Sequence, residues 1–519
     1  MINRLASSSI WKFSNSPAFH RECQYVRFRS DSKQFERKLK HISSTEGREM
    51  MHEPRRQIPS IPMESVSVIL AAYILTGVEL DDISKDRAPQ TPFEEYLCQS
   101  IMLRGPLSVA AFMREALMNP KYGYYLRKDK PVFGTHGDFI TSPEISQLFG
   151  ELIGVWFVAV WEKMSEKEKE EFIIVECGPG KGTLMNDLLR VSRRFPNFKK
   201  GIKSVHLVEV SHALRQEQAK RLGVSSDVKR GKEGEMKSGK TEDGTTIHWH
   251  NNFTSVPRSP MLLVAQEFFD CLSVHQFEYT ATGWCERMVD VNTGEGQHHL
   301  RMVLSPTPTL SAMTLMRSQE HMGRYYQQEA KQKIVKDEQE DQEHPVHAAS
   351  RQIDLTSAPV GDKQGEIGQC VEMCPDGITL SMDISLRVAK YGGAALIIDY
   401  GQDGMTPDTL RAIKDHKFVD LLESPGQTDL SALVDFASLK RAAGAIENVN
   451  TFGAIPQGQW LISMGIETRA QRLVDASTDE QESEAIASAY ERLVSPEQMG
   501  QSYKVISFAN RSLGDVPGF

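Results

Sequence analysis

The 519-residue chain has no apolar run long enough to cross a bilayer, which takes about 20 residues. Even Val66 to Val78, with Val68-Ile69-Leu70-Ala71-Ala72-Tyr73-Ile74-Leu75 at its centre, is too short, so no membrane span is expected. Cysteine is scarce: there are seven and no C-x-x-C pair, which excludes a disulfide scaffold. Cys370 and Cys374 lie in a polar stretch without histidines at zinc spacing and read as free thiols in a reducing compartment. His248-Trp249-His250 and His298-His299 read as strand or surface histidines, and no metal site is expected. A basic excess is also missing: the net charge of -9 argues against a general nucleic-acid binder. There is no internal repeat. What remains, 40% hydrophobic and 25% charged, is ordinary for a soluble globular protein.

The N-terminal segment, Met1 to about Ser30, carries Arg4, Lys12, Arg21, Arg27 and Arg29, with no acid before Glu22. Serines are frequent and apolar residues scattered, the composition of a mitochondrial transit peptide; a secretory signal would need a continuous apolar core. Residues 31–90 read as a linker of uncertain structure, polar and aperiodic up to Glu64. Two later stretches, 225–244 and 317–370, are poor in apolar residues and read as exposed, disordered insertions in the domain that fills 91–519.

The chain is organised around Phe172-Ile173-Ile174-Val175-Glu176-Cys177-Gly178-Pro179-Gly180-Lys181-Gly182-Thr183-Leu184. Four apolar residues in a row suit a central parallel strand covered on both faces. The spacing of Leu184, Leu188, Leu189 and Val191 predicts a helix. Between them, Gly178, Gly180 and Gly182 let the backbone approach a ligand, and the helix start offers unpaired N–H groups. The third glycine comes one position too early for the dinucleotide fingerprint, and no Gly-Lys-Ser/Thr marks a Walker loop. Glu176, two places before the first glycine, suits a cationic ammonium better than a pyrophosphate. S-adenosyl-L-methionine fits both features. The next strand, Val205 to Val210, delivers Glu209, 27 residues past Gly182, near the spacing of an acid that accepts from both ribose hydroxyls. Met261 to Ala265 reads as a further parallel strand with Gln266, Glu267, Phe268, Phe269 and Asp270 at its carboxyl end, where ligands of open α/β sheets gather. Ala394 to Asp399 is another, and Tyr503 to Phe508 a closing antiparallel strand. Ile145 to Met164 reads as one long helix, and Thr428 or Asp429 as the cap of the helix after Pro425-Gly426.

These stretches, together with Gly137-Asp138-Phe139-Ile140-Thr141-Ser142-Pro143-Glu144, Ile398-Asp399-Tyr400-Gly401 and Pro425-Gly426-Gln427-Thr428-Asp429-Leu430, resemble the MidA-like class I methyltransferases, in family order from about Thr91 to the C-terminus. The resemblance implies an α/β fold: a doubly wound, Rossmann-like class I methyltransferase sheet with an N-terminal helical cover and C-terminal additions. It implies S-adenosyl-L-methionine as cofactor, with Thr141 at the cofactor's amino-acid end. It also implies Gln266 beside the cofactor, where the family usually has the shorter asparagine. The implied activity is protein arginine methylation in the mitochondrial matrix, on a core subunit of respiratory complex I, in support of assembly.

Arginine sets a specific problem. Its guanidinium stays protonated, with a pKa above about 12, and its nitrogens are poor nucleophiles. Two carboxylates can grip the planar fork and draw charge from one nitrogen. Glu267 and Asp270, three apart at the cofactor edge, are the expected catalytic pair, with Asp399 and Tyr400 as a far wall; His275 is in reach of a departing proton, but a histidine after a strand reads first as structural. Two other readings stay open: a non-catalytic assembly chaperone that keeps the cofactor fold, and a small-molecule methyltransferase.

Overall fold

The computed structural model describes residues 87, 89–126, 141–232, 234–316 and 365–519, all within one unit that spans 80–519. The expected transit peptide, most of the expected linker, the apolar segment 66–78, residues 137–140 and residues 317–364 lie outside the described residues.

The central sheet is built on strands β1 (Phe172–Cys177), β2 (Ile202–Val208), β3 (Val224–Arg230), β4 (Met236–Thr241), β5 (Thr246–His250) and β6 (Met261–Gln266). A second, antiparallel sheet holds β7 (His275–Thr280), β8 (Gly283–Val291), β9 (Leu300–Leu304) and β10 (Cys370–Met373). Then come β11 (Gly393–Gln402), which returns to the centre, and a small sheet of β12 (Arg411–Lys414), β13 (Lys417–Val419) and β14 (Asp429–Ser431). Finally β15 (Val449–Pro456) and β16 (Tyr503–Asn510) close the central sheet, whose order is β15-β16-β11-β6-β1-β2-β5-β4-β3. Strands β11, β6, β1, β2 and β5 run parallel; β16 lies antiparallel between β11 and β15.

The helices used below are α1 (Pro92–Arg104), α2 (Val109–Met118), α3 (Ser142–Ile145), α4 (Gln147–Lys163), α5 (Thr183–Ser192), α6 (His212–Arg221), α7 (Pro375–Tyr391) and α8 (Phe436–Gly444). Side chains alternate across each central strand. Phe172 and Ile174 pack with α4 and α5, in one core with Leu262 and Leu396. Ile173 and Val175 pack in the opposite core with Ile384 and Val388 of α7 and Phe436 of α8. Apolar layers on both faces explain why β1 and β6 read as continuous apolar runs, each buried throughout. A third core joins α1 and α2 to β8 and the β12–β14 sheet and forms the N-terminal cover. From β1 the chain steps to β2 on one side and later to β6 on the other, so the strand order reverses at β1 and opens a crevice at its carboxyl end.

Four expectations are corrected. Residues 225–244 are an ordered antiparallel hairpin, β3 and β4, that extends the sheet edge beyond β5. Backbone pairing holds it while its polar side chains stay largely exposed, so composition hid it. The stretch 317–370 ends earlier than supposed, since Cys370 already opens β10 against Glu278. The helix read from Ile145 is broken at Ser146, whose extended backbone starts α4 and whose hydroxyl accepts from Leu148 N. Neither Thr428 nor Asp429 caps the later helix: Asp435 does, accepting from Ser438 N at 3.2 Å, while Asp429 opens β14.

One face of the sheet carries a histidine chain. His206 Nδ1 lies 2.9 Å from His250 Nε2, and Ser204 Oγ lies 2.8 Å from His206 Nε2. Burial, with neighbouring histidines next, holds His206 down to about 3 and His250 to about 4. Each is neutral when folded and takes a proton near pH 6.5 when unfolded, so its contribution is complete above that pH and is lost as pH falls. Acidification from about pH 7 to about pH 5 is expected to remove up to about 2 kcal/mol of stability through His206, and less through the more exposed His250. Melting curves at both pH values should show a smaller loss in His206→Gln than in wild type; an identical loss would refute the assignment.

Candidate active site

The turn after β1 is built by glycine where glycine is required. Gly178, Gly180 and Gly182 all have left-handed φ, of 68°, 51° and 80°, a region that side chains disfavour. A Cβ on Gly178 would stand 2.6 Å from the Phe268 ring. Gly182 is the residue before α5, whose start faces the turn. At the end of β1, Glu176 is buried, and its Oε2 has no hydrogen-bond partner. Burial first, and then the nearby charge of Glu209, push its pKa to about 8. An orphaned buried carboxylate oxygen calls for a cationic donor.

Glu209 follows β2 and is also buried. Its Oε1 accepts from Ser211 N at 2.8 Å and its Oε2 from Gln218 Nε2 at 3.2 Å. A carboxylate has about four acceptor positions, which leaves two for a diol. Burial raises its pKa to about 7 against those hydrogen bonds. Gln218 on α6 was not anticipated. Its Nε2 also donates to Gly180 O at 2.7 Å, and its Oε1 accepts from the Trp249 indole at 2.8 Å. It ties the glycine turn to the acid of the next strand. No local pattern marks it, because its three partners come from three other elements.

Thr141 precedes α3 and makes no side-chain capping bond. The next residue, Ser142, donates its N–H to Glu267 Oε1 at 3.0 Å. Glu144 accepts from the Thr183 hydroxyl at the start of α5, and Lys181 of the glycine turn lies 4.0 Å from it.

Beyond β6 the loop is shaped by one carboxylate. Asp399 Oδ2 accepts from Phe268 N, Phe269 N and Asp270 N at 3.0, 2.9 and 3.3 Å, and Oδ1 from Tyr400 N at 2.9 Å. Asp399 is therefore the clasp of this loop, fully buried, rather than an open wall. Glu267 sits at φ 49°, a strained conformation for a non-glycine residue and one that recurs at functional sites. Its Oε1 also accepts from Gln266 Nε2 at 2.6 Å, and Tyr503 Oη lies 3.4 Å from its Oε2. Gln266 is buried with its Oε1 unpartnered. Asp270 Oδ2 accepts from Ser431 Oγ at 2.8 Å, and the Tyr400 hydroxyl bonds Ser431 in turn. Tyr125 donates to Asp429 at 3.0 Å beside them. Removal from water lifts Glu267 to about 7 and Asp270 to about 6, with the Ser142 and Ser431 hydrogen bonds opposing.

The structure thus places Thr141, Glu176, the three glycines, Glu209, Gln266, Glu267 and Asp270 at or beside the carboxyl ends of the central strands, with Ser142 beside Thr141 bonded to Glu267 and Gly178 packed against Phe268. It leaves His275 out. His275 lies in the antiparallel sheet, where Nδ1 meets Glu286 Oε1 at 2.7 Å and its ring stacks on Phe277. Gln218, Ser431 and Tyr503 join these residues unpredicted. Among the described residues, no Lys or Arg forms an ion pair with Glu176, Glu209, Glu267, Asp270 or Asp399, and no cluster of residues is arranged to hold a metal.

A family model described as "Putative S-adenosyl-L-methionine-dependent methyltransferase" matches residues 152–455. The chain is 38% identical over 419 residues to the protein arginine methyltransferase NDUFAF7, mitochondrial, of Danio rerio, covering 80% of this chain and 86% of that one. It is 37% identical to the Homo sapiens protein of that name, covering 80% and 82%. The Drosophila melanogaster homolog is 35% identical, with 82% and 86% covered. A superfamily member from Burkholderia thailandensis, solved bound to S-adenosyl-homocysteine, superposes with a TM-score of 0.60 at 20% identity, covering 83% of this chain and 97% of that one, a likeness of fold. The chain belongs to the MidA-like family of S-adenosyl-L-methionine-dependent methyltransferases, of which the mitochondrial protein arginine methyltransferases are members.

Proposed function

We propose that this chain is an S-adenosyl-L-methionine-dependent protein arginine methyltransferase of the mitochondrial matrix, acting on a core subunit of respiratory complex I in support of its assembly. The observation that carries the proposal is the pair Glu267 and Asp270, two carboxylates drawn out of water beside the cofactor crevice, with no ion pair to a Lys or Arg among the described residues. A guanidinium is planar, always charged and rich in paired donors, and it relieves that arrangement.

The crevice fits the cofactor. Glu176 offers its orphaned oxygen to an ammonium, the glycine turn and the start of α5 face a carboxylate, and Glu209 keeps two acceptor positions for ribose hydroxyls. Thr141 and Gln266 complete the set, the latter with its free Oε1. When bound, S-adenosylmethionine supplies an electrophilic methyl group. Glu267 and Asp270 orient one guanidinium nitrogen and draw positive charge from it, and a carboxylate of the pair takes the proton which that nitrogen releases on methylation. Positioning of this kind contributes several kcal/mol, up to about 7–11. A carboxylate lifted to about 7 is matched to proton transfer near neutral pH.

The decisive assay incubates the purified chain with labelled cofactor and complex I core subunits. Label recovered on arginine supports the reading. Cofactor binding without transfer supports the chaperone, and label found only on metabolites supports a small-molecule enzyme. Glu267→Gln is expected to leave cofactor affinity within about threefold of wild type and to lower transfer about 100-fold or more; full activity would remove Glu267 from the mechanism. Gly180→Val is expected to abolish cofactor binding, since a β-branched residue is strained at φ 51°, and unchanged affinity by calorimetry would contradict this. Glu176 is protonated at pH 7 in the free protein and ionises against an ammonium. Cofactor binding should therefore release protons at pH 7, read as a dependence of the binding heat on buffer ionisation enthalpy. Release should fall in Glu176→Gln, and equal release would sink the assignment.

A further inference from the structure

Resting on the reading that Asp270 takes part in arginine methylation, we infer that Ser431 and Tyr400 are positioning residues: a two-hydroxyl chain from β11 and β14 that holds Asp270 Oδ2 toward the acceptor. The direction of the chain follows from proton counting. An ionised carboxylate only accepts, so the proton of Ser431 lies between Ser431 Oγ and Asp270 Oδ2, 2.8 Å apart. A serine hydroxyl has one proton. The bond between Tyr400 and Ser431 is therefore donated by Tyr400. Tyr400 fixes the Ser431 rotor, and Ser431 fixes the carboxylate.

The surroundings make this chain important. Asp270 faces Glu267 on its own loop, Asp399 on β11, Tyr503 on β16, Tyr125 in the turn after α2, and Cys271 beside it. All of these are acids or weak acids, and Asp429 beside Tyr125 adds another. No side chain in that group holds the carboxylate in its ionised state; the Ser431 hydroxyl does so most strongly, with the backbone N–H groups of Cys271 and of Asp270 itself adding to it. The backbone is secured separately: Asp270 N donates to Asp399, and Asp270 O accepts from Ala432 N at 3.0 Å. β14 thus grips Asp270 twice, through Ser431 by the side chain and through the following residue by the main chain. Loss of the hydroxyl would release the carboxylate without releasing the loop.

The test is the pH dependence of kcat/KM, between about pH 6 and about pH 10, for the complex I core subunit labelled in the assay above. Ser431→Ala removes the donor, and its acidic limb is expected to move up by about one pH unit. Tyr400→Phe is expected to move the same limb in the same direction by less, and Ser431→Thr to restore it. Cofactor affinity should stay within about twofold of wild type in all three, because the chain touches only the acceptor side. A wild-type limb in both Ser431→Ala and Tyr400→Phe, with Asp270→Asn inactive, overturns this inference and leaves the catalytic reading intact. Full activity in Asp270→Asn overturns the reading itself. If Ser431→Ala fails to fold, Tyr400→Phe, which keeps the buried ring, decides the matter alone.

Discussion

The loop that carries Glu267 and Asp270 depends on one buried carboxylate. Asp399, at the end of β11, collects the N–H groups of three successive residues after β6. That capture turns the chain sharply where the strand ends. It accounts for the left-handed φ of Glu267, the residue just before the three donors, and it puts Asp270 against β14. Three N–H groups converging on one oxygen can hold a strained turn that would otherwise relax. Glu267 and Asp270 are three apart in sequence, but their separation in function, one beside α3 and Tyr503, the other beside Ser431, is imposed by Asp399.

The second constraint is electrostatic. Glu176, Glu209, Glu267, Asp270 and Asp399 are all drawn from water, and burial raises each pKa above its ordinary value. A protein that gathers acids in this way carries an unfavourable term in the free state, and binding of cations offsets it. The pattern divides in two. Glu176 ends the strand that leads into the glycine turn, and Glu267 with Asp270 follows the neighbouring strand. In the proposed function the same physical imbalance addresses two different charges, an ammonium at the first and a guanidinium at the second.

Much of this was legible in the chain and some was not, for definite reasons. The parallel strands were readable because both their faces are buried, which forces unbroken apolar runs such as Phe172 to Val175 and Met261 to Ala265. Glu176, Glu209 and the glycines were readable because a strand end, a tight turn and an acid at fixed spacing are local features. The clasp by Asp399 was not, since it joins residues about 130 apart and looks in sequence like any acid at a strand end. Gln218 and Ser431 were silent for the same reason. The β3–β4 hairpin was missed because its lysines, serines and glycines are held by backbone pairing on an edge, whereas the structural reading of His275 agrees with its bond to Glu286 on the neighbouring strand of the antiparallel sheet.

The two halves of the crevice are also joined mechanically. α3 has only four residues, yet its first N–H binds Glu267 Oε1 and its Glu144 binds Thr183 at the head of α5, against Lys181 of the glycine turn. A displacement of the glycine turn is therefore transmitted through Glu144 to Ser142, and from Ser142 to the acid that orients the acceptor. Gln218 performs the matching task on the other side, since it holds Gly180 and Glu209 with one amide. Because packed, hydrogen-bonded groups of this kind shift together rather than singly, the glycine turn, α3 and the loop after β6 form one connected support.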